Sequence, residues 1–344
     1  MKSNKKKITF TVPCYNSMDY MERCIESLLV GKEDVEIIIV NDGSTDKTKD
    51  IADRYQKKYP SIVRVIHKEN GGHGSGVNAG LKAATGMYFK VVDSDDWLDE
   101  TALLSLLDKL GEMEKANDCV DLLVCNYIYD HLYENKRKIM SFKNVFPENE
   151  TCTWASLGHF KPSQYLIMHA LIYKTSILKK CKLKLPEHTF YVDNIVAYQP
   201  FSQVESICYL NLDLYHYFIG RADQSVNESV MITRVDQQIK VTKIIASSVD
   251  LRRVKETKPK LYAYLLRMLS MMMTISSIYL LMKGDKESLE KREALWDFLR
   301  ETDFVTYKKL KYSKLAGLTY LPSKFGNFIT LKGYKIAQKI YKFN

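Results

Sequence analysis

Seven cysteines in 344 residues are odd in number, and no two of them stand as C-x-x-C. That spacing argues against a zinc knuckle or a disulfide framework and fits a reducing compartment. No glycine lies in Ile8–Asn16, the first strand-like run and the turn after it. The G-x-G-x-x-G fingerprint is therefore missing where a nicotinamide dehydrogenase needs it, and the absence of G-x-x-x-x-G-K-[ST] removes the P-loop enzymes. Long apolar runs are scarce too. Ile8–Val12 stops at Pro13, too short for the core of a signal peptide, so export by that route is not expected. Leu261–Met282 is long enough to span a bilayer, but it contains Arg267, Ser270, Thr274, Ser276 and Ser277 and is expected to be a buried or surface-docked helix. Internal repeats and low-complexity tracts are absent as well.

What is present is globular. Hydrophobic residues make up 46% and charged residues 27%, which excludes a disordered or fibrous chain. The length suggests about two domains. Of the net charge of +10, nine positive charges fall in Phe304–Asn344, which holds nine lysines and no Asp or Glu. The body is nearly neutral and the end of the chain is basic.

Through residue 130 the pattern alternates. Strands are predicted at Ile8–Val12, Val35–Val40, Ile62–His67, Met87–Val92 and Val120–Tyr129. Helices are predicted at Asp19–Leu29, Thr45–Tyr59, Gly76–Ala84 and Glu100–Lys115. The continuous apolar run VEIIIV belongs to a buried parallel strand. Such a series predicts an open, mostly parallel α/β sheet flanked by helices, with its ligands at the carboxyl ends of the strands. Residues 134–162 read as loops and insertions, and from Val235 onward the chain reads as helical, then basic and aromatic. The expected division is a domain over residues 1–230, with halves 1–130 and 131–230, followed by a helical basic appendage over 231–344.

Three chemistry-bearing segments fall at predicted strand ends: Pro13-Cys14-Tyr15-Asn16, Asn41-Asp42-Gly43-Ser44-Thr45-Asp46, and Asp93-Ser94-Asp95-Asp96. Three carboxylates within four residues repel one another, and a hard divalent cation, Mg²⁺ or Mn²⁺, resolves that repulsion through oxygen ligands. A helix-capping turn explains them less well, because Asp99 can cap the next helix alone. The loop Asn70-Gly71-Gly72-His73-Gly74-Ser75-Gly76 leads into a helix and can bring backbone amides close to phosphate.

Taken with Val12 and Val40 ahead of them, these segments resemble, in order and spacing, the signature of family 2 glycosyltransferases with the GT-A fold. The likeness is clear over about residues 8–130 and looser to about 230. It implies an inverting transferase that takes a nucleotide-diphospho-sugar, usually UDP-linked, and a divalent metal. By the same resemblance Pro13 and Tyr15 line the base pocket, Asp42 accepts from uracil, Asp93 and Asp95 hold the ribose and donor sugar, and Asp95 with Asp96 holds the metal-diphosphate. An inverting displacement also needs a base for the acceptor hydroxyl. The family places it in a Glu-Asp pair, which Tyr191-Val192-Asp193-Asn194 matches with Asp193 as the base and Val192 in place of Glu. Glu187 and Asp213 are the next candidates. Tyr215–Arg221 resembles the segment that closes over the diphosphate, with Arg221 as a two-pronged phosphate contact and His216 as a further metal ligand. Gly74 and Gly76-Val77-Asn78 replace the family's Ser and Ala-Arg-Asn, so the arginine contact is missing, and His73 is a candidate to replace it.

The expected partners are a nucleotide-sugar donor, a saccharide or lipid-linked acceptor in surface polysaccharide or glycoconjugate synthesis, and an anionic membrane surface met by the basic end. That places the protein in the cytoplasm, peripheral to the inner membrane face. Nucleic acid is the rival partner for nine lysines interleaved with nine aromatics. It leaves the acidic strand ends unexplained, because those carboxylates repel phosphate. A metal-dependent nucleotidyltransferase normally carries a glycine-rich loop after the first strand, which this chain lacks.

Overall fold

A computed structural model describes residues 6–131, 136–220, 228–321 and 323–341. The chain divides into two compact units, Met1–Gly220 and Arg221–Asn344.

The first unit begins with the alternation read from the sequence: β1 (Ile8–Cys14), α1 (Met21–Leu29), β2 (Val35–Asp42), α2 (Thr48–Lys58), β3 (Val63–Lys68), α3 (His73–Ala83) and β4 (Tyr88–Val91). It continues with β5 (Trp97–Leu98), α4 (Glu100–Ala116), β6 (Leu122–His131), β7 (Lys136–Met140), β8 (Thr151–Cys152), β9 (Leu171–Lys174), α5 (Thr175–Lys180), α6 (Asp193–Val196) and β10 (Ile207–Phe218). The sheet runs β3-β2-β1-β4-β9-β6-β10-β5, with β7 paired to β6 and β8 to β10. β1 lies parallel to both β2 and β4, so the direction of winding reverses between β1 and β4. That reversal opens a crevice at the strand carboxyl ends.

Every residue of β1 and β2 is buried, as expected of central parallel strands covered on both faces. Pro13 fits in β1 because β4 stops pairing at Val91, opposite Thr11, so no neighbour on that side needs the missing N–H. α3 starts at His73, three residues before the expected start, so Gly74 and Gly76 lie inside the helix. They serve close packing there: a Cβ on Gly76 would sit 2.9 Å from the Pro13 side chain, and one on Gly74 would meet the Pro186 carbonyl oxygen at 2.6 Å. Asp99 caps α4 by accepting from the Ala102 amide at 2.8 Å. The acidic run before it is therefore not needed as a cap.

The second unit is helical throughout its described residues: α7 (Glu228–Thr233), α8 (Val235–Ser248), α9 (Leu251–Thr257), α10 (Pro259–Lys283), α11 (Lys286–Thr302), α12 (Phe304–Ser313), α13 (Leu315–Leu318) and α14 (Ser323–Tyr341). α10 contains the long apolar stretch and is apolar enough to cross a membrane, yet 72% of its most apolar window is buried within the chain. α8, α9, α11, α13 and α14 pack around it. Its hydroxyl residues have partners in that core: Ser276 Oγ meets Thr242 Oγ1 at 2.9 Å, and Ser277 Oγ accepts from the Trp296 indole at 3.2 Å.

Candidate active site

The ends of β1 and β2 are latched together. Asn16 Oδ1 accepts from the Thr45 amide at 2.9 Å, and Thr48 Oγ1 accepts from the Ser17 amide at 2.8 Å. Just ahead of these latches Tyr15 is 55% exposed, whereas Pro13 is buried against α3. Asp42, at the end of β2, is only 2% exposed. Its carboxylate accepts from Lys68 Nζ at 2.7 Å, from the Gly71 amide at 3.0 and 3.1 Å, and from the Gly72 amide at 2.7 Å. A carboxylate has about four acceptor sites, so Asp42 is fully engaged in shaping the glycine loop.

After β4 the run Asp93–Asp96 turns tightly, with the Asp96 amide bonded to the Asp93 carbonyl at 3.0 Å. Asp93 points to His73, whose Nε2 lies 2.7 Å from Asp93 Oδ1. Asp96 points inward: Oδ2 accepts from Tyr215 Oη at 2.6 Å and Oδ1 from the Phe218 amide at 2.8 Å. Burial, followed by the charges of Asp95 and Asp93, pushes the Asp96 carboxyl well above the usual range. Burial has the same upward effect on Asp93, but the His73 and His169 rings and Lys90 outweigh it and hold that carboxyl low.

The side chains that converge here differ in part from the expected ligands. Among the described residues, Asp93, Asp96 and His169 bring one ligand atom each within 4.8 Å of one another. Asp95 and His216 lie outside that group. The Asp95 carbonyl accepts from Arg23 Nη2 at 3.0 Å, and the Arg23 guanidinium lies 3.7 Å from the centre of the Trp97 ring. His216 stacks on the same Trp97 ring, with centroids 4.9 Å apart, and its Nδ1 meets Asp130 Oδ2 at 3.0 Å. The donor set fits a divalent cation. It pairs two carboxylates with an imidazole whose Nδ1 is buried and has no hydrogen-bond partner.

Asp193 opens α6, two residues after Tyr191 at φ +65, a conformation that non-glycine residues seldom adopt. Val192, in the place of the family's Glu, is 1% exposed, so position 192 faces the core. Burial pushes the Asp193 carboxyl up to about 6, against the pull of His73 and with the push of Asp93. Of the alternatives, Glu187 accepts from Ser75 Oγ at 3.2 Å and Asp213 from the Asn126 amide group at 2.7 Å. Arg221 lies outside the described residues.

Sequence reasoning missed three residues of this centre, and two of them gave little sign of themselves. His169 sits in the apolar run LIMHALIY and reads as core. Tyr215 is one of several aromatics in β10. Lys90 did leave a signal, a lone lysine in the buried strand YFKV. Its Nζ donates to the His169 carbonyl at 2.6 Å, and burial lowers its pKa to about 8.

Residues 9–174 match the family model described as Glycosyl transferase family 2. The chain is 30% identical over 216 residues to EpsH of Bacillus subtilis, a protein named as a glycosyltransferase, across 62% of this chain and 60% of EpsH. It is 44% identical over 102 residues to the poly(ribitol-phosphate) beta-glucosyltransferase of Bacillus spizizenii, across 28% of this chain and 16% of that protein. The chain thus spans less than two thirds of the length of these relatives. Among solved structures it is similar to S. aureus TarS 1–349 in complex with UDP-GlcNAc, with a TM-score of 0.63 at 19% identity over 98% of this chain and 91% of the other. The reversed winding at β1 and β4, the carboxylates gathered at the strand ends and these likenesses agree: residues 9–174 are a family 2 glycosyltransferase domain, and the chain has the GT-A fold.

Proposed function

We propose that the protein transfers a sugar, with inversion at its anomeric carbon, from a UDP-linked donor to a hydroxyl of a saccharide or lipid-linked acceptor, in the synthesis of a surface polysaccharide or related glycoconjugate. The observation that carries this reading is the convergence of Asp93, Asp96 and His169 within 4.8 Å at the mouth of the β1/β4 crevice. It is supported by the UDP-GlcNAc complex of the similarly folded TarS and by the glucosyltransferase relative.

In this reading the exposed Tyr15 ring stacks on the base, and Asp42 reads the uracil edge by yielding one of its loop contacts. Asp93 and Asp95 hold the ribose and the donor sugar, and Arg221 pairs with the diphosphate. Asp93 and Asp96 hold Mn²⁺ or Mg²⁺, which when bound neutralises the charge that develops on the leaving diphosphate. Asp193 takes the acceptor hydroxyl proton while the acceptor oxygen bonds to the anomeric carbon, whose bond to the UDP oxygen breaks. A carboxyl near 6 is ionised at neutral pH and still basic enough for that transfer.

The basic end completes the proposal. Phe304, Tyr312, Phe325 and Phe328 are exposed in a segment rich in lysine and free of acidic residues. Lysine draws such a segment to an anionic leaflet and aromatic rings settle at headgroup level, so the enzyme works from the cytoplasmic membrane face.

The test is a panel of nucleotide sugars incubated with the purified protein, with and without EDTA. A UDP-sugar that is hydrolysed or transferred only when a divalent metal is present is the expected result. Turnover of no nucleotide sugar, together with no UDP binding, overturns the reading.

A further inference from the structure

The imidazole of His169 is an anomaly for a residue that only packs. It is 6% exposed, and its Nδ1 has no hydrogen-bond partner. A buried polar atom left unpaired loses the hydrogen bonds it made to water and gains none in return. A phenylalanine would fill the same space without that cost, so the nitrogen needs a reason.

The ring is also held with unusual care. It lies parallel to Tyr215, with centroids 4.6 Å apart and planes at 10°, and it contacts Tyr217 at 4.3 Å and the edge of Tyr127 at 6.2 Å. Lys90 fixes its backbone through the carbonyl. Tyr215 in turn holds Asp96, so one tyrosine sets the spacing between ring and carboxylate. The other two histidines of the region have a ring nitrogen engaged: His216 on Asp130, and His73 on Asp93.

We infer that His169 is a nitrogen ligand of the divalent cation held by Asp93 and Asp96. The inference rests on the donor-site reading proposed above and adds to it a ligand and a preference. Mg²⁺ favours oxygen donors and keeps its waters, whereas Mn²⁺ accepts imidazole nitrogen more readily. The site therefore selects Mn²⁺ over Mg²⁺.

The experiment is electron spin echo envelope modulation on Mn²⁺ bound to the full chain, alone and with UDP, on protein at natural abundance and on protein with ¹⁵N-histidine. A directly bound imidazole gives ¹⁴N modulation that changes with the label. That signal is expected in the wild type and in H216Q and H73Q, and it is expected to vanish in H169Q and H169F. In direct titrations H169Q should weaken Mn²⁺ by about tenfold or more, the scale of changes around metal ligands, and Mg²⁺ by less. If H169Q and H169F fail to fold, the wild type, H216Q and H73Q still decide the matter, since a nitrogen lost in either of those two belongs to another histidine. Mn²⁺ and UDP bound without nitrogen modulation in the wild type, or modulation that persists in H169Q, overturns the inference and leaves the donor site standing. Wild-type protein that binds neither Mn²⁺ nor UDP overturns both.

Discussion

Tyr215 donates its hydroxyl to Asp96 Oδ2 at 2.6 Å while accepting from the Asp93 amide at 3.1 Å. One residue of β10 thus fixes both ends of the acidic turn that follows β4. Tyr215→Phe leaves the ring stack in place and removes both contacts. Unfolding in urea should show a loss of about 1–3 kcal/mol, the cost of a buried group left short of a partner. UDP affinity in the presence of Mn²⁺ should fall as well, and an unchanged affinity would mean that the turn holds its shape alone.

Asp96→Asn keeps the volume of a side chain that is 1% exposed and removes its charge. The more drastic Asp96→Ala would also empty a buried position. Transfer by the Asn variant should drop more than about tenfold, in line with removal of a metal ligand. Wild-type turnover that ignores EDTA would break the link between this carboxylate and a cation.

Asp193→Asn should lose about 10²–10⁴-fold in turnover with UDP affinity retained. In the wild type kcat/KM should decline as pH drops through about 6, because only the ionised carboxyl accepts the proton. Stability has the opposite trend. The folded state binds this proton more tightly than the unfolded chain, so the group begins to destabilise the fold as pH rises from the ordinary Asp range through about 6. Each unit of such a shift corresponds to about 1.4 kcal/mol, so Asp193→Asn should melt above wild type at pH 8, and the gap should narrow as pH falls and close only below the ordinary Asp range. Near wild-type turnover would move the base to Glu187 or Asp213.

Asp42→Ala frees the Gly71 and Gly72 amides and leaves Lys68 Nζ without this partner. Isothermal titration should show UDP affinity down more than about tenfold, since several charge-assisted bonds are lost together. A fall for UDP but not for uridine would assign the effect to the loop rather than to the base.

Purified protein should bind vesicles that contain anionic lipid, release at high salt and ignore neutral vesicles, because each lysine near the surface contributes about 1 kcal/mol that salt screens. Serine at Lys308, Lys309, Lys311 and Lys314 should weaken that binding and spare UDP binding. Equal binding to neutral and anionic vesicles sinks the electrostatic account.

The parallel half of the sheet was legible in the sequence, because short β-branched runs and amphipathic helices alternate there and the strand ends carry carboxylates. The start of α3 was not, because His73 to Ser75 read as loop when they are in fact the first turn of the helix, where Gly74 serves a close contact. β9 has an apolar stretch of only LIY, a few residues from a histidine, too short for periodicity to decide. His169 stayed hidden because nothing local separates a ligand from a core histidine: its partners lie more than seventy residues earlier in the chain, at Asp93 and Asp96. Asp130 shows the converse, since only the structure reveals that it already holds the Nδ1 of His216.

The burial of α10 decides how this protein can be taken apart. Leu310 and Ala316 are fully buried, and α13 and α14 cover α10, so the basic helices roof an apolar rod and are not a detachable tail. Trimming the chain from its carboxyl end would strip that roof and leave a greasy, self-associating protein. Its failure to work would say nothing about membranes. Point substitutions at the lysines keep these helices in the chain and remove charge together with ring contacts such as those of Lys309 on Tyr262 and Lys311 on Tyr307, so they separate anchoring from folding where truncation does not.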